Sequence, residues 1–237
     1  VAIHEATLRL LSAVESFCLD ADVLKQHISG KLNLGIIDST LTDNASPLPR
    51  TTQRFVSRGH DAHLHIYIGA PAELEERVLD SRLHLAIGHF PLRVPGLSYL
   101  PLYDEALGLY CGRRHPLYAS KAANGRLLEE VRQCHIVVRG YMQQYDLEQL
   151  GITKAAATVE NIEAAAILII SGAYIGFLPV HFAEQWVKTG EMRRLGANTL
   201  DLTSPFDVIT RRGVTPPPIL RAFLEDLNTC MHQAGGI

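Results

Sequence analysis

Short apolar segments that recur between helix-patterned ones restrict the fold of this chain more than any other feature. Residues 32–37, 63–68 and 83–87 read as strands, each too short for a helix and rich in aliphatic side chains. Between the first two, a loop with Pro47 and Pro49 leads into a helix through Phe55 and Val56 that Gly59 closes. Between the second and third, Gly69 and Ala70 precede a helix from Pro71 to about residue 81. Pro71 suits a first helical turn, where its missing N–H has no partner to lose. Strands joined by crossover helices pair in parallel, so the expectation is a parallel sheet with helices on its faces. From 97 to 111 two strands follow without a helix, and the alternation breaks.

A second α/β set begins after that break. Residues 127–132 form a short helix, and 134–138 a strand ending in Arg139 and Gly140; a polar stretch occupies 141–150. A strand at 155–159, an apolar helix at 160–171 closed by Gly172, and a strand at 174–178 come next. Pro179 then opens a helix through Trp186. A strand at 206–210 precedes Pro216, Pro217 and Pro218 and a last helix with Ile219, Leu220, Phe223, Leu224, Leu227 and Met231 on one face. The pattern implies two α/β lobes. The chain crosses to the second near residue 108 and returns through 206–210. Two crossings make a hinge, and a cleft between hinged lobes is a natural small-molecule site.

Residues 1–28 read as one helix. Ile3, Leu10, Phe17 and Leu24 recur every seven residues, with Val14, Ala21 and Ile28 in the neighbouring seam. Such a repeat suits a partner helix from a second subunit, or an amphipathic helix lying on its own domain. The 22 basic and 25 acidic residues leave a net charge of −3, without the clustered basic excess of a free-standing nucleic-acid module. Cys18, Cys111, Cys134 and Cys230 lie far apart without CxxC spacing and read as free thiols of a cytoplasmic protein. No apolar run is long enough to span a membrane, and the opening residues lack the pattern of a signal peptide. The first residue is not methionine, so a segment ahead of it is expected.

Several segments resemble the LysR-type transcriptional regulators. Gly30-Lys31-Leu32-Asn33-Leu34-Gly35-Ile36 is similar to the strand that opens their effector-binding domain after a linker helix, and Leu83-His84-Leu85-Ala86-Ile87-Gly88 to their next conserved-pattern strand. Leu100-Pro101-Leu102-Tyr103-Asp104-Glu105 with His115-Pro116-Leu117 resembles the crossing segment. Val159-Glu160-Asn161 and the block from Ser171 to Pro179 resemble the later helix and strand, and Leu220–Leu224 the closing helix. The resemblance implies an α/β fold of two Rossmann-like lobes joined by two hinge crossings (type 2 periplasmic-binding-protein-like), preceded by a linker helix. It divides the chain into a linker/dimerisation helix at 1–29, lobe I at 30–108 plus 209–237, and lobe II at 109–208. It implies a ligand-sensing regulatory domain that binds a small-molecule effector, self-associates as a dimer or tetramer, and reaches DNA through a winged helix-turn-helix that this sequence does not contain.

In parallel sheets, ligands sit beyond the C-terminal strand ends, where loops converge and helix N-termini offer free N–H groups. In lobe I this selects Asp38, Ser39, Thr40, Gly69, Ala70, Gly88 and His89. In lobe II it selects Arg139, Gly140, Tyr141, Asn161, Phe177, Leu178 and Pro179. Ser39 and Thr40 would offer hydroxyls or simply cap a helix. Gly69 and Gly88 would let a ligand approach the backbone, or serve tight turns. Asp38 could hold an amine or hydroxyl and Arg139 a carboxylate, as an amino-acid-like effector needs; the alternative is an ion pair between them or two solvated charges.

His60, His63 and His65 crowd together without the further ligands a metal site needs, so no metal is expected. No nucleotide-binding, G-x-S-x-G or HExxH motif occurs, so neither a cofactor nor enzymatic activity is expected. Two rivals remain. A periplasmic solute-binding protein would need a signal peptide and no heptad-patterned helix. An enzyme on the same fold would need a nucleophile–base pair or a metal.

Overall fold

The computed structural model describes residues 6, 7, 9–14, 28–59, 61–121 and 124–234. The described part of the amino-terminal segment is helical, with Leu10 and Val14 exposed; the remainder of the helix read over 1–28, together with Cys18 and His60, lies outside the described residues. In chain order the elements are β1 (Ser29–Ile36), α1 (Leu48–Ser57), β2 (Asp61–Ile68), α2 (Pro71–Leu79), β3 (Leu85–Gly88), β4 (Leu97–Gly112), α3 (Asn124–Arg132) and β5 (Ile136–Arg139). There follow α4 (Gln143–Leu150), β6 (Ala157–Val159), α5 (Ile162–Ile170), β7 (Ile175–Pro179), α6 (Val180–Lys188), β8 (Met192–Leu195), β9 (Leu202–Arg211) and α7 (Pro218–Ala234). The chain forms two compact units. Unit 1 comprises Val1–Thr40, Asn44–Tyr103 and Phe206–Ile237, and unit 2 comprises Leu41–Asp43 and Asp104–Pro205.

In unit 1, β1 pairs in parallel with β2 and β3, so that Ile36 lies opposite both Ile68 and Ile87. β9 runs antiparallel to β3, with Ile87 opposite Val208. The helices bury residues one turn apart, Thr51 and Phe55 on α1 and Leu74 and Val78 on α2, as a core-facing stripe requires. Phe55 meets Phe223 of α7 edge to face with ring centroids 5.5 Å apart. Burying a ring or a leucine in this way contributes roughly 1.5–3 kcal/mol each. The fully buried carboxylate of Asp226 on α7 is held at 2.6 Å by both Arg54 of α1 and Arg58, the residue that caps the end of α1, which ties these two helices by charge as well as packing.

In unit 2, β5 pairs in parallel with β6 and β7, and β4 runs antiparallel to β7 and β8. Alternate residues feed two separate cores, as the period of a strand dictates. Leu109, Ile136, Val138 and Phe177 pack into one. Tyr110, Val137 and Leu178 pack into the other, beneath the apolar helix α5. Asn161 caps α5, its Oδ1 accepting the Ala164 N–H at 2.8 Å.

Three sequence expectations are corrected. The two strands expected over 97–111 are one continuous strand, β4, whose pairing with β7 and β8 carries it to Gly112. The polar stretch at 141–150 contains α4, which buries Leu147 and Leu150, three positions apart, and ends at Gly151 with φ +63°. β8 was not expected at all, because Met192-Arg193-Arg194-Leu195 is short and half charged; the antiparallel ladder to β4 makes it a strand. Cys111, Cys134 and Cys230 are free thiols. Among the described residues, no helix is long and apolar enough to cross a membrane.

Two glycines make opposite predictions. A Cβ on Gly88 would lie 2.5 Å from the Cγ2 of Ile37, whereas one on Gly125, in α3, would meet nothing within 4 Å. Gly88→Ala is expected to lower unfolding stability by about 1–3 kcal/mol through overpacking. Gly125→Ala is expected to raise it by about 0.4–1 kcal/mol by restricting the unfolded chain. Urea unfolding of both variants checks this pair.

Candidate functional site

The parallel registers bring the candidate residues of each unit to one end of its sheet. In unit 1, with Ile36, Ile68 and Ile87 level, β1 runs into Asp38, Ser39 and Thr40, β2 into Gly69 and Ala70, and β3 into Gly88 and His89. Their local roles differ. Thr40 is buried and its hydroxyl donates to the Ile37 carbonyl at 2.8 Å, closing the turn before the 3-10 segment Thr40–Thr42. Ser39 stands at φ +65°, a left-handed conformation that is strained for a residue with a Cβ. The Gly69 N–H donates to the Ile36 carbonyl at 3.1 Å, and Ala70 sits at the N-cap of α2 with no side-chain cap. The missing Cβ of Gly88 makes room for Ile37, and His89 is buried.

In unit 2, Arg139 ends β5, level with Val159 on β6, and Gly140 and Tyr141 continue into the 3-10 segment Gly140–Met142. Asn161 follows β6 and spends its carbonyl oxygen on capping α5. Phe177 and Leu178 are fully buried on opposite faces of β7, where they build the two cores, and Pro179 leads into α6.

Arg139 is the chemical centre of this end. Its side chain is 3% exposed. One terminal nitrogen donates to the Tyr141 hydroxyl at 3.3 Å, and the guanidinium carbon lies 5.4 Å from the centre of that ring. Its Nε and second terminal nitrogen are buried and have no hydrogen-bond partner among the described residues. Burial works against the charge, but Tyr141, Asp146 and Glu105 together hold the guanidinium above its ordinary pKa. Asp146, on α4 and 1% exposed, is itself pushed up to about 7 by burial, against the pull of Arg139. The result is a fixed cation whose nearest acid is poised to shed its charge near neutrality.

The sequence reading missed Asp146, Glu105 and His181. β4 and β7 are antiparallel with Leu107 opposite Pro179, so Glu105, two residues before Leu107, comes to face His181, two residues after Pro179. His181 Nε2 lies 3.0 Å from Glu105 Oε1, and its Nδ1 lies 2.8 Å from the Thr42 hydroxyl. Asp43 Oδ2 is 3.8 Å from His181 Nε2. His181 follows the end of β7, so the rule that selected Pro179 could have reached it two residues later. Glu105 lies in a strand of the opposite direction, and Asp146 in an unrecognised helix; neither had a local signal. Among the described residues, Asp43, Glu105 and His181 are a possible metal-binding triad, with ligand atoms within 4.8 Å of one another. The His181–Glu105 hydrogen bond accounts for its core. His63 and His65 are exposed on β2.

Residues 25–230 match the family model described as LysR substrate binding domain. The chain is 34% identical over 226 residues to the HTH-type transcriptional activator BauR of Pseudomonas aeruginosa, covering 94% of this chain and 73% of that protein. Two solved structures share the fold. The effector binding domain of QuiR in complex with shikimate is 17% identical with a TM-score of 0.72, covering 86% of this chain and 98% of that one. The BenM effector binding domain with its effector benzoate is 15% identical with a TM-score of 0.63, covering 87% of this chain and 94% of that one.

The Asp146 carboxyl gives this site a pH signature. In the unfolded chain an aspartate titrates near ~3.9, so between there and the folded value of about 7 the folded state keeps a proton the unfolded state has lost. Stability from this group therefore falls as pH rises through that window and is level above it. Urea unfolding from about pH 5 to about pH 8 is expected to show the decline, and Asp146→Asn to flatten it. An unchanged slope in the variant would assign the dependence to other groups.

Proposed function

Because this chain belongs to the LysR family of transcriptional regulators, as a substrate-binding domain, we propose that it senses a small carboxylate effector through Arg139. The observation that carries the reading is a nearly fully buried guanidinium with two nitrogens that lack hydrogen-bond partners among the described residues. A carboxylate matches that fork with two parallel, charge-assisted hydrogen bonds, and in a desolvated setting such bonds are strong. The molecules bound by the QuiR and BenM domains, shikimate and benzoate, are both carboxylates, which supports the class. An amino-acid-like effector fits as well, its ammonium facing the acids Glu105 and Asp43 beside His181. For unit 1 the strand-end rule proposes Asp38, Ser39, Thr40, Gly69, Ala70, Gly88 and His89 as effector-contacting residues, with Asp38→Ala as their test.

The domain acts by binding, without turnover. Different affinity of the effector for two conformations of the regulator sets the response. The remaining parts of the reading come from the family: self-association as a dimer or tetramer, DNA contact through a helix-turn-helix outside this sequence, and action in the cytoplasm.

Calorimetric titration against amino acids and small carboxylates tests the proposal, with the compound assayed for consumption afterwards. Arg139→Gln is expected to weaken the binder found by at least about thirty-fold, the scale of one lost buried charge partner. Arg139→Lys is expected to lose most of that too, because an ammonium cannot reproduce the fork. Unchanged affinity in a folded Arg139→Gln protein would remove Arg139 from the site. Consumption of the compound would replace the sensor with an enzyme.

A further inference from the structure

Unit 1 has a second opening, at the end of its sheet away from the candidate residues, where β3 begins and β9 finishes. A cavity of about 220 Å³ lies there. His84, just ahead of β3, and Arg211, the last residue of β9, both line it, over an apolar wall that includes Val78 and Leu220. Ser12, from the amino-terminal helical segment, lines it as well.

The nitrogen groups of Arg211 and His84 present donors to this cavity. Arg211 donates to the Ser81 hydroxyl at 2.9 Å, and among the described residues no acid pairs with it. Among the described residues that line the cavity, none is acidic. The Nδ1 of His84 accepts the Asn33 backbone N–H at 2.9 Å, so a neutral ring carries its proton on Nε2. Burial pushes the His84 ring's pKa down, and the charge of Lys31 adds to this, so the neutral donor form prevails at neutral pH. No acceptor for Nε2 is found among the described residues. The half-buried guanidinium, the neutral N–H and the positive field of Lys31 select an anion, and the apolar wall selects a compact hydrocarbon body. The cavity lies below the roughly 300–1,000 Å³ typical of drug-sized ligands, so its occupant is small.

We infer that this cavity is a second small-molecule site, which takes a monocarboxylate with a compact apolar body, its carboxylate on Arg211 and His84 Nε2–H. Its occupant touches both Ser12 and the core of unit 1, so binding there biases how the amino-terminal helical segment packs on the unit. The site shares no residue with Arg139 and its neighbours and does not depend on their reading.

Titration of ¹⁵N-labelled protein with cyclohexanecarboxylate, followed by amide chemical shifts, tests the inference. Saturable shifts at Ser98 and Gly213, which line the cavity, are expected, and Arg139→Gln is expected to leave them in place. Arg211→Gln is expected to weaken this response at least about ten-fold, and Arg211→Lys, which keeps the charge, to weaken it less. The amides of Gly140 and Tyr141 report the other site separately, so failure there is distinguishable from failure here. Absence of saturable shifts at Ser98 and Gly213 up to ~20 mM, weaker than any specific site of this kind would be, overturns the inference. So does an undiminished response in a folded Arg211→Gln protein.

Discussion

Parallel strand pairing is the constraint on which both units depend. Each crossover helix must return the chain to the starting end of the sheet, so the parallel strands of a unit, β1, β2 and β3 in unit 1 and β5, β6 and β7 in unit 2, finish at the same edge. In unit 1 this levels Ile36, Ile68 and Ile87, and in unit 2 it levels Arg139 with Val159. Residues separated by many positions in sequence then emerge from one line of strand ends. Chemistry can collect there because the backbone at those ends is no longer committed to the ladder.

What collects in unit 2 is a charge arrangement that a water-exposed surface could not sustain. A guanidinium at Arg139 loses most of its hydration and regains only part of it from the Tyr141 hydroxyl and from the charges of Asp146 and Glu105. Replacing one carboxylate's charge with another's costs little when the first is already close to neutral. Asp146 is held near that point by its own burial, so the negative charge it sets against Arg139 changes near neutral pH. His181 holds Glu105 by a direct hydrogen bond and is itself in contact with the Thr42 hydroxyl.

Unit 1 shows how similar residue types serve unlike ends. Asp226 is fully buried, like Asp146, but two arginines at 2.6 Å meet its charge, and it links α1 to α7. Gly88 stands at a strand end yet serves the packing of Ile37, and Thr40 turns its hydroxyl onto the backbone. At the opposite sheet end, Arg211 has a hydroxyl partner but no acid among the described residues, and it lines a cavity. The partner each group finds decides between structure and recognition.

The sequence by itself determined what is local. Aliphatic runs bounded by glycine and proline identified most strands, Pro71 marked the first turn of α2, and the order of these elements pointed to the family and its fold. Arg139 was legible because it ends a strand. The tertiary structure decided whatever depends on a partner far along the chain. β4 is one strand, and β8 a strand at all, because of ladders to residues many tens of positions away. His181 and Glu105, separated by 76 positions, meet because of the antiparallel register between β4 and β7. Asp146 is an ordinary aspartate in sequence; its elevated pKa comes from the low dielectric around it, a property of packing that no single segment encodes.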